Sequence, residues 1–349
     1  MDLYINGTGL VSAAGSNTDK DFLKEPVSWL GNRLTAREPD YSGLIPPMQL
    51  RRMSKTVRMG IAAAKACLEQ SGVPTADALS VGTALGGLHD TEQFLASMVT
   101  RNEQTLTPTS FIQSTHNTVG GQIAVLLGCK GHNLTFVHRG HSLEHAMMNA
   151  RLYLNNHPEH TILTGGIEEL TDTSLRLMQE LGVYRKTDTT NAILYTDLEK
   201  GSVAGEGAGF FTVTAKPAPT PCLHLKTLHC FVARTPGAVQ AGLDHFLQQM
   251  PASAQEADLV ISGENGDIRF QEIYNRIHQE YFPDARWCPF KHLSGEYATA
   301  SAVALGMLMH AVGTGSWPEH IFGAGPSPHR IVLINNHMHH YSCWYLERI

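Results

Sequence analysis

The sequence predicts an α/β protein, because short apolar runs alternate along it with segments of helical periodicity. Six apolar runs predict strands, at residues 3–5, 135–137, 161–163, 209–213, 259–262 and 330–334. Three segments rich in regularly spaced apolar or small residues predict helices, at residues 58–70, 142–155 and 298–312. With 349 residues, of which 42% are hydrophobic and 17% charged, the chain has enough apolar material for a large core.

The composition excludes several classes of protein. A formal net charge of −6 provides no basic field that would attract nucleic acid or an anionic membrane surface. No segment approaches the roughly 20 apolar residues of a membrane-spanning helix, and residues 1–15 lack the features of a signal peptide. The six cysteines are spread singly and predict reduced thiols. We therefore expect a soluble cytoplasmic protein with no nucleic-acid partner and no membrane insertion.

The domain organisation is predicted from one proline-rich segment. Residues 215–221 hold three prolines in seven positions, a composition typical of a linker. The segment divides the chain into an N-terminal part, residues 1–215, and a C-terminal part, residues 216–349.

Glycine-rich segments follow several predicted strands, at residues 6–9, 163–168 and 201–209. A phosphate-binding loop would need a complete GxGxxG or GxxxxGK[ST] motif, which the sequence lacks. Each segment alone therefore predicts a tight turn with close backbone approach rather than a ligand site.

Taken in order along the chain, five segments resemble the ketoacyl synthase family. They are residues 4–15 (YINGTGLVSAAG), 51–55 (RRMSK), 108–124 (PTSFIQSTHNTVGGQIA), 165–168 (GGIE) and 205–209 (GEGAG). The resemblance extends over nearly the whole chain. It implies a thiolase-like fold, in which two similar halves form a layered α-β-α-β-α sandwich.

The family's nucleophile position does not match. The family uses a cysteine at a strand-to-helix turn, where the helix N-terminus favours the thiolate. Anchoring the resemblance on residues 133–134 and 145–146 places Gly140 at that position, and glycine carries no nucleophile. Residues 335–341 replace the glycine-rich loop that gates the acyl site in the family.

The positions of the family's two catalytic histidines also differ. Gly263 corresponds to the first histidine, or Glu264 does after a slip of one residue, and Glu296 corresponds to the second. The family's supporting lysine is retained as Lys291. We expect Lys291 and Glu296 to form a buried ion pair with a structural role.

The joint difference at the nucleophile, at both histidines and at the gating loop resembles the chain length factor, the non-catalytic partner of an active ketosynthase subunit in type II polyketide systems. The resemblance implies a heterodimer that elongates a chain carried on the phosphopantetheine of an acyl carrier protein, with no cofactor bound by this chain. The short length and the diverged segment 85–107 resemble the partners found in aryl polyene and flexirubin-type pathways.

The resemblance also implies which residues shape the acyl tunnel or the interface. They are Thr118 and four residues at the predicted nucleophile turn, namely His138, Arg139, His141 and Ser142. Further tunnel-lining residues are expected near residues 107–111 and along residues 142–150. His145 lies close to the turn in sequence, and filling of a vacated pocket is the interpretation we favour for this histidine-rich cluster.

Two alternative functions remain open on the sequence. One is an enzyme, a decarboxylase or non-covalent acyltransferase that uses Glu296, His141 or His138, and the other is a homodimeric protein that binds acyl or pantetheine ligands. His337 and His339 would project to the same side of a strand, which suggests a metal site. No carboxylate or CxxC motif completes that set, and we expect no metal.

Overall fold

The computed structural model describes residues 2–106, 108–251 and 256–349. The strands in these ranges are β1 (Leu3–Val11), β2 (Leu30–Gly31), β3 (Arg33–Leu34), β4 (Ala78–Gly82), β5 (Asn133–Phe136), β6 (Ile162–Glu168), β7 (Thr189–Thr190), β8 (Ala204–Gly205), β9 (Gly207–Thr214), β10 (Leu223–Val232), β11 (Leu259–Ser262), β12 (Arg286–Pro289), β13 (Arg330–His337) and β14 (His340–Arg348).

The α-helices in the same ranges are α1 (Pro47–Leu50), α2 (Lys55–Ser71), α3 (Leu88–Thr100), α4 (Pro108–Ser114), α5 (Thr118–Leu127), α6 (Ser142–Asn156), α7 (Asp172–Glu180), α8 (Pro236–Gln249), α9 (Ile268–Arg276), α10 (Lys291–Ser294), α11 (Ser301–Thr314) and α12 (Glu319–Phe322). A 3-10 turn, Arg139–His141, connects β5 to α6, and a π-helical turn, Ile277–Tyr281, extends α9.

Each predicted strand overlaps an observed strand, and each predicted helix overlaps α2, α6 or α11. The helix predicted from residue 298 begins only at Ser301. Backbone hydrogen bonds explain why this helix starts later than predicted. The Glu296 N–H donates to the Val203 carbonyl at 2.8 Å, and the Glu296 carbonyl accepts from the Gly205 N–H at 3.1 Å. These bonds hold the chain extended beside β8, so the helix starts a few residues later.

Ten of the strands form one sheet, in the order β12-β11-β13-β14-β10-β1-β9-β6-β4-β5. Each half of the chain contributes five neighbouring strands. Numbered in chain order within its own half, each set has the same spatial order, 1-5-4-2-3. A short antiparallel pairing of Leu3 with Leu225 and of Ile5 with Leu223 joins the two sets. The predicted fold class, with two similar halves, is therefore confirmed.

The helices form three layers around the two five-stranded sets. Helices α6 and α11 share one apolar core with residues from both halves, such as Leu10 of β1 and Leu333 of β13. Helices α2 and α5 pack on the outer face of the N-terminal set, and α8 and α9 pack on the outer face of the C-terminal set. Residues 215–222 connect β9 to β10, and the domain division at residue 215 stays a prediction.

Two further predictions from the sequence concern the cysteines and membrane-spanning helices. All six cysteines are free, as predicted. No helix in the described residues is long and apolar enough to cross a membrane.

The glycine-rich segments at residues 6–9 and 163–168 are not the predicted turns. They lie inside β1 and β6, where glycines permit helices and strands to approach closely. At Gly9, an added Cβ would lie 1.9 Å from the Ala63 carbonyl oxygen of α2. Only glycine fits this contact, so helix α2 can lie directly on β1.

Replacing Gly9 with alanine is expected to lower the free energy of unfolding by about 3 kcal/mol or more, because the new methyl group overpacks against backbone. The matched control is Gly121→Ala in α5, where an added Cβ meets nothing within 4 Å. That control should gain about 1 kcal/mol from helix propensity. Urea unfolding of both variants measures the difference, and equal effects would contradict the close packing of α2 on β1.

Candidate functional site

The predicted nucleophile turn lies between β5 and α6. Ser142, the first residue of α6, fixes it: its Oγ donates to the Arg139 carbonyl at 2.8 Å and accepts from the His138 N–H at 2.9 Å. Arg139 adopts a left-handed backbone conformation, with a φ of 51°. The turn thus places Gly140 between β5 and the first residue of α6, as the sequence predicts.

Gly140 faces the hairpin formed by β13 and β14. A Cβ added to Gly140 would lie 2.9 Å from the Cβ of His337 and 2.9 Å from the Cβ of His340. Carbon atoms in proteins do not approach so closely without displacement. A cysteine side chain at this position would therefore require the hairpin to move.

The segment that replaces the family's glycine-rich loop is a tight hairpin. His337 ends β13, His340 begins β14, and only Met338 and His339 lie between them. Met338 adopts a positive φ of 54°. The expectation that His337 and His339 share one face of a strand is wrong, because His339 lies in the turn.

Glu296 is a buried carboxylate with three side-chain partners. Its Oε1 accepts from Lys291 Nζ at 3.0 Å and contacts His337 Nδ1 at 3.0 Å. Its Oε2 accepts from Asn265 Nδ2 at 2.8 Å. The predicted buried ion pair between Lys291 and Glu296 is confirmed, since both side chains are almost fully buried.

Burial alone would raise the pKa of the Glu296 carboxyl. The Lys291 ammonium, followed by His337 and Asn265, outweighs that effect and lowers the pKa below its ordinary value. Glu296 is therefore ionised at neutral pH, and both of its oxygens are occupied. Sequence reasoning missed His337 and Asn265 as its partners, although both lie in segments that the resemblance singles out.

A side chain is also excluded at Gly263, which the resemblance aligns with the first histidine of the family. A Cβ added to Gly263 would lie 2.5 Å from Asn335 Oδ1 and 2.7 Å from the Tyr274 hydroxyl oxygen. The neighbouring Glu264 accepts hydrogen bonds from Trp287 Nε1 and Gln271 Nε2, both at 3.1 Å. It is Asn265, two residues after Gly263, that reaches Glu296.

A second buried carboxylate, Glu144, lies in the first turn of α6. It accepts from Ser301 Oγ at 3.0 Å, and Ser301 Oγ accepts in turn from Asn335 Nδ2 at 2.8 Å. Burial raises the pKa of Glu144 to about 7. No sequence pattern points to Glu144, because a glutamate in the first turn of a helix is ordinarily solvated.

The histidines near the turn come together as predicted. His138 Nδ1 lies 3.0 Å from His145 Nδ1, and His141 Nε2 lies 3.0 Å from the Tyr341 carbonyl oxygen. The His141 and His340 rings are 4.9 Å apart between centroids. Burial, followed by the charge of His340, lowers the pKa of His141 to about 4, so His141 is neutral at pH 7.

Two cavities meet at the hairpin. The larger, about 530 Å³, is lined by apolar residues of the α7 region together with Arg139, Glu168 and residues 337–340. Burial raises the pKa of Glu168 to about 8. The second cavity, about 350 Å³, is lined by Asn265, Glu296 and residues 337–339, among others. Residues 337–339 therefore form a wall common to both cavities.

Among the five residues predicted to shape a tunnel or interface, only Arg139 lines either cavity. Thr118 begins α5, where its Oγ1 donates to the Ile112 carbonyl at 2.9 Å, and it borders a separate groove with Gln49 and Met53. Thr107 lies outside the described residues. Residues 108–111 begin α4, and neither they nor residues 142–150 line the two cavities within this chain.

Two matching five-stranded halves around a shared layer of helices define the thiolase-like class of fold. Within that class, a family model described as "Beta-ketoacyl synthase, N-terminal domain" matches residues 29–217, more than half of the chain. The chain therefore belongs to the beta-ketoacyl synthase family, and the resemblance found in the sequence is confirmed. No curated protein sequence matches the chain.

Solved structures with the same fold match over the whole length. "The ishigamide ketosynthase/chain length factor" aligns with a TM-score of 0.76 and 13% identity, over 99% of this chain and 98% of that one. The ketosynthase ApeO in complex with its chain length factor ApeC, from Xenorhabdus doucetiae, aligns with a TM-score of 0.74 and 14% identity. This alignment covers 100% of this chain and 98% of that one.

A third similar structure, AntDE:AntF, is described as a type II PKS acyl-carrier protein in complex with its ketosynthase bound to the hexaketide. It aligns with a TM-score of 0.74 and 15% identity, over 100% of this chain and 99% of that one. At these identities the structural likeness establishes the fold.

Replacing Glu144 with glutamine is expected to change how stability depends on pH. The unfolded-state pKa is near the ordinary value of 4.5 and the folded-state pKa is about 7. Between these values the unfolded state loses the proton first, so the wild-type free energy of unfolding falls as pH rises. Glutamine does not titrate, so E144Q should gain about 2 kcal/mol relative to wild type between pH 5 and pH 8.

Urea unfolding at the two pH values measures this gain. The matched control is Glu25→Gln, at an exposed position, which should follow the wild-type profile. Parallel profiles for E144Q and wild type would show that Glu144 is not held protonated in the folded state.

Proposed function

We propose that this chain is the non-catalytic partner, of the chain length factor type, in a ketosynthase heterodimer that elongates chains bound to an acyl carrier protein. One observation carries the proposal. Gly140, which the resemblance aligns with the family's nucleophile, lies at the turn between β5 and α6, and the hairpin at His337 and His340 leaves no space there for a side chain.

No cysteine in the described residues is placed to act as the nucleophile in place of Gly140. None of the six cysteines, all within the described residues, lines either cavity at the hairpin. Burial raises the pKa of Cys288 to about 11 and raises the pKa values of Cys67 and Cys343 further. These groups are thiols rather than thiolates at neutral pH, and only the thiolate is an effective nucleophile.

The edge strand β5 supports association with a partner. Within the described residues β5 pairs only with β4, so its other edge presents unpaired backbone groups. Leu134 within β5 is 43% exposed and Val137 just after it is 51% exposed. An exposed apolar edge strand is suited to pairing with a strand of another chain. We propose that the active ketosynthase covers this edge.

The larger cavity supports a role in shaping the space for an acyl chain. Leu85, Met178, Leu181 and Val183 give it an apolar lining, and Arg139 lies at its boundary with the hairpin. In the proposed complex the substrate arrives on the phosphopantetheine of the carrier protein, and this chain binds no cofactor of its own. A conjugated polyene product is the narrower form of the proposal, supported by the resemblance of the diverged segment 85–107.

An enzymatic role for Glu296 is the second candidate, because Glu296 lines the smaller cavity. This role is disfavoured because both carboxylate oxygens of Glu296 already have partners, namely Lys291, His337 and Asn265. A carboxylate held ionised by a buried lysine is a weak base for proton abstraction. The non-catalytic role is therefore the conclusion we draw.

Reconstitution with the cognate ketosynthase, carrier protein and malonyl donor tests the proposal. We expect elongation to require this chain and light scattering to give a one-to-one complex. Leu134→Asp should abolish complex formation and elongation together, because a charge on β5 disfavours burial of that edge. Ile193→Asp is the matched control, since Ile193 is also 43% exposed but lies outside β5.

Product length by mass spectrometry and complex mass by light scattering are read on the same samples. A ketosynthase that elongates equally well alone, beside a homodimer of this chain, would contradict the proposal and favour a ligand-binding homodimer. Decarboxylation by the isolated chain that disappears in Glu296→Ala would favour the enzymatic candidate.

A further inference from the structure

Three histidines at the turn between β5 and α6 form a compact cluster. His138, His141 and His145 each offer one ligand atom, and these atoms lie within 4.8 Å of one another. We propose that this cluster binds a divalent transition-metal ion of the zinc type. The inference departs from the expectation of no metal, which considered His337 and His339, and it does not depend on the proposed function.

The local structure brings the three rings together. His141 ends the 3-10 turn just before α6, and His145 lies in the first turn of α6, with 6.0 Å between the two ring centroids. His138 precedes the turn, and its backbone N–H is held by Ser142 Oγ at 2.9 Å. The cluster is therefore fixed by a turn and a helix whose backbone positions are already set.

The separations are close to those of a zinc site. Zinc bonds to histidine nitrogens at about 2.0–2.1 Å, so two nitrogens in a tetrahedral site lie about 3.3 Å apart. His138 Nδ1 and His145 Nδ1 are 3.0 Å apart. The nitrogen of His141 completes the group, and the three ligand atoms all lie within 4.8 Å of one another.

One ligand has an orienting partner beyond the metal position. His141 Nε2 lies 3.0 Å from the Tyr341 carbonyl oxygen, which accepts its N–H and leaves Nδ1 with a free lone pair.

His340 lies close enough to the cluster to provide a fourth ligand. The His340 ring centroid is 4.9 Å from that of His141 and 6.2 Å from that of His138. The His340 Nδ1 atom is buried and makes no hydrogen bond within the described residues. His340 or a water molecule completes four-coordination, and a metal there would tie the hairpin to the turn.

Titration of the untagged, chelator-treated chain with Zn²⁺ tests the inference, with calorimetry to give the stoichiometry. We expect one equivalent to bind and the Tm to rise. His138→Gln and His145→Gln should each weaken binding about tenfold or more and remove the Tm rise. His329→Gln, at an exposed histidine outside the cluster, is the matched control and should bind as wild type.

Visible absorption of the Co²⁺-loaded chain gives an independent readout, because tetrahedral nitrogen coordination produces intense bands that octahedral Co²⁺ lacks. His138 is exposed, so H138Q keeps the test valid even if H145Q fails to fold. Absence of zinc uptake by wild type would overturn the inference. Equal losses in H329Q and the cluster variants would overturn it too, since binding would then be a property of surface histidines in general.

Discussion

The buried carboxylate of Glu296 connects the segments on which the candidate site depends. It contacts Lys291 of α10, Asn265 after β11 and His337 at the end of β13. Without Glu296, Lys291 would be a buried charge with no partner, which typically costs several kcal/mol, about 3 to 5. Its contact with His337 also fixes one strand of the hairpin that faces Gly140.

The hairpin formed by β13 and β14 excludes a side chain from the turn between β5 and α6. His337 and His340 come within 2.9 Å of a Cβ placed at Gly140, so the residue type at the turn and the sequence of the hairpin depend on each other. A cysteine placed at Gly140 would contact both histidines of the hairpin. The positions that the resemblance aligns with the family's catalytic histidines, Gly263 or Glu264 and Glu296, would still carry no histidine. This mutual dependence supports a chain that contributes walls and an interface to a partner rather than a reacting group.

The sequence predicted what depends on local spacing. Helices α2, α6 and α11 follow from periodicity, the Lys291–Glu296 pair joins residues five apart, and the histidine cluster spans only residues 138–145. The contacts of Asn265 and His337 with Glu296 cross 31 and 41 residues, and only the assembled sheet brings them together. The glycines of β1 were predicted to form a turn. They are needed instead because α2 packs closely on the strand, and this tertiary contact leaves no local pattern in the sequence.

The chain's role is tested most directly by locating the acyl group during elongation. The reconstituted heterodimer is incubated with acyl-loaded carrier protein, quenched in acid, and each subunit is weighed by intact-mass spectrometry. We expect the acyl mass on the ketosynthase subunit and none on this chain, since Gly140 offers no nucleophile. An acyl adduct on this chain, formed at the rate of elongation, would contradict a non-catalytic role.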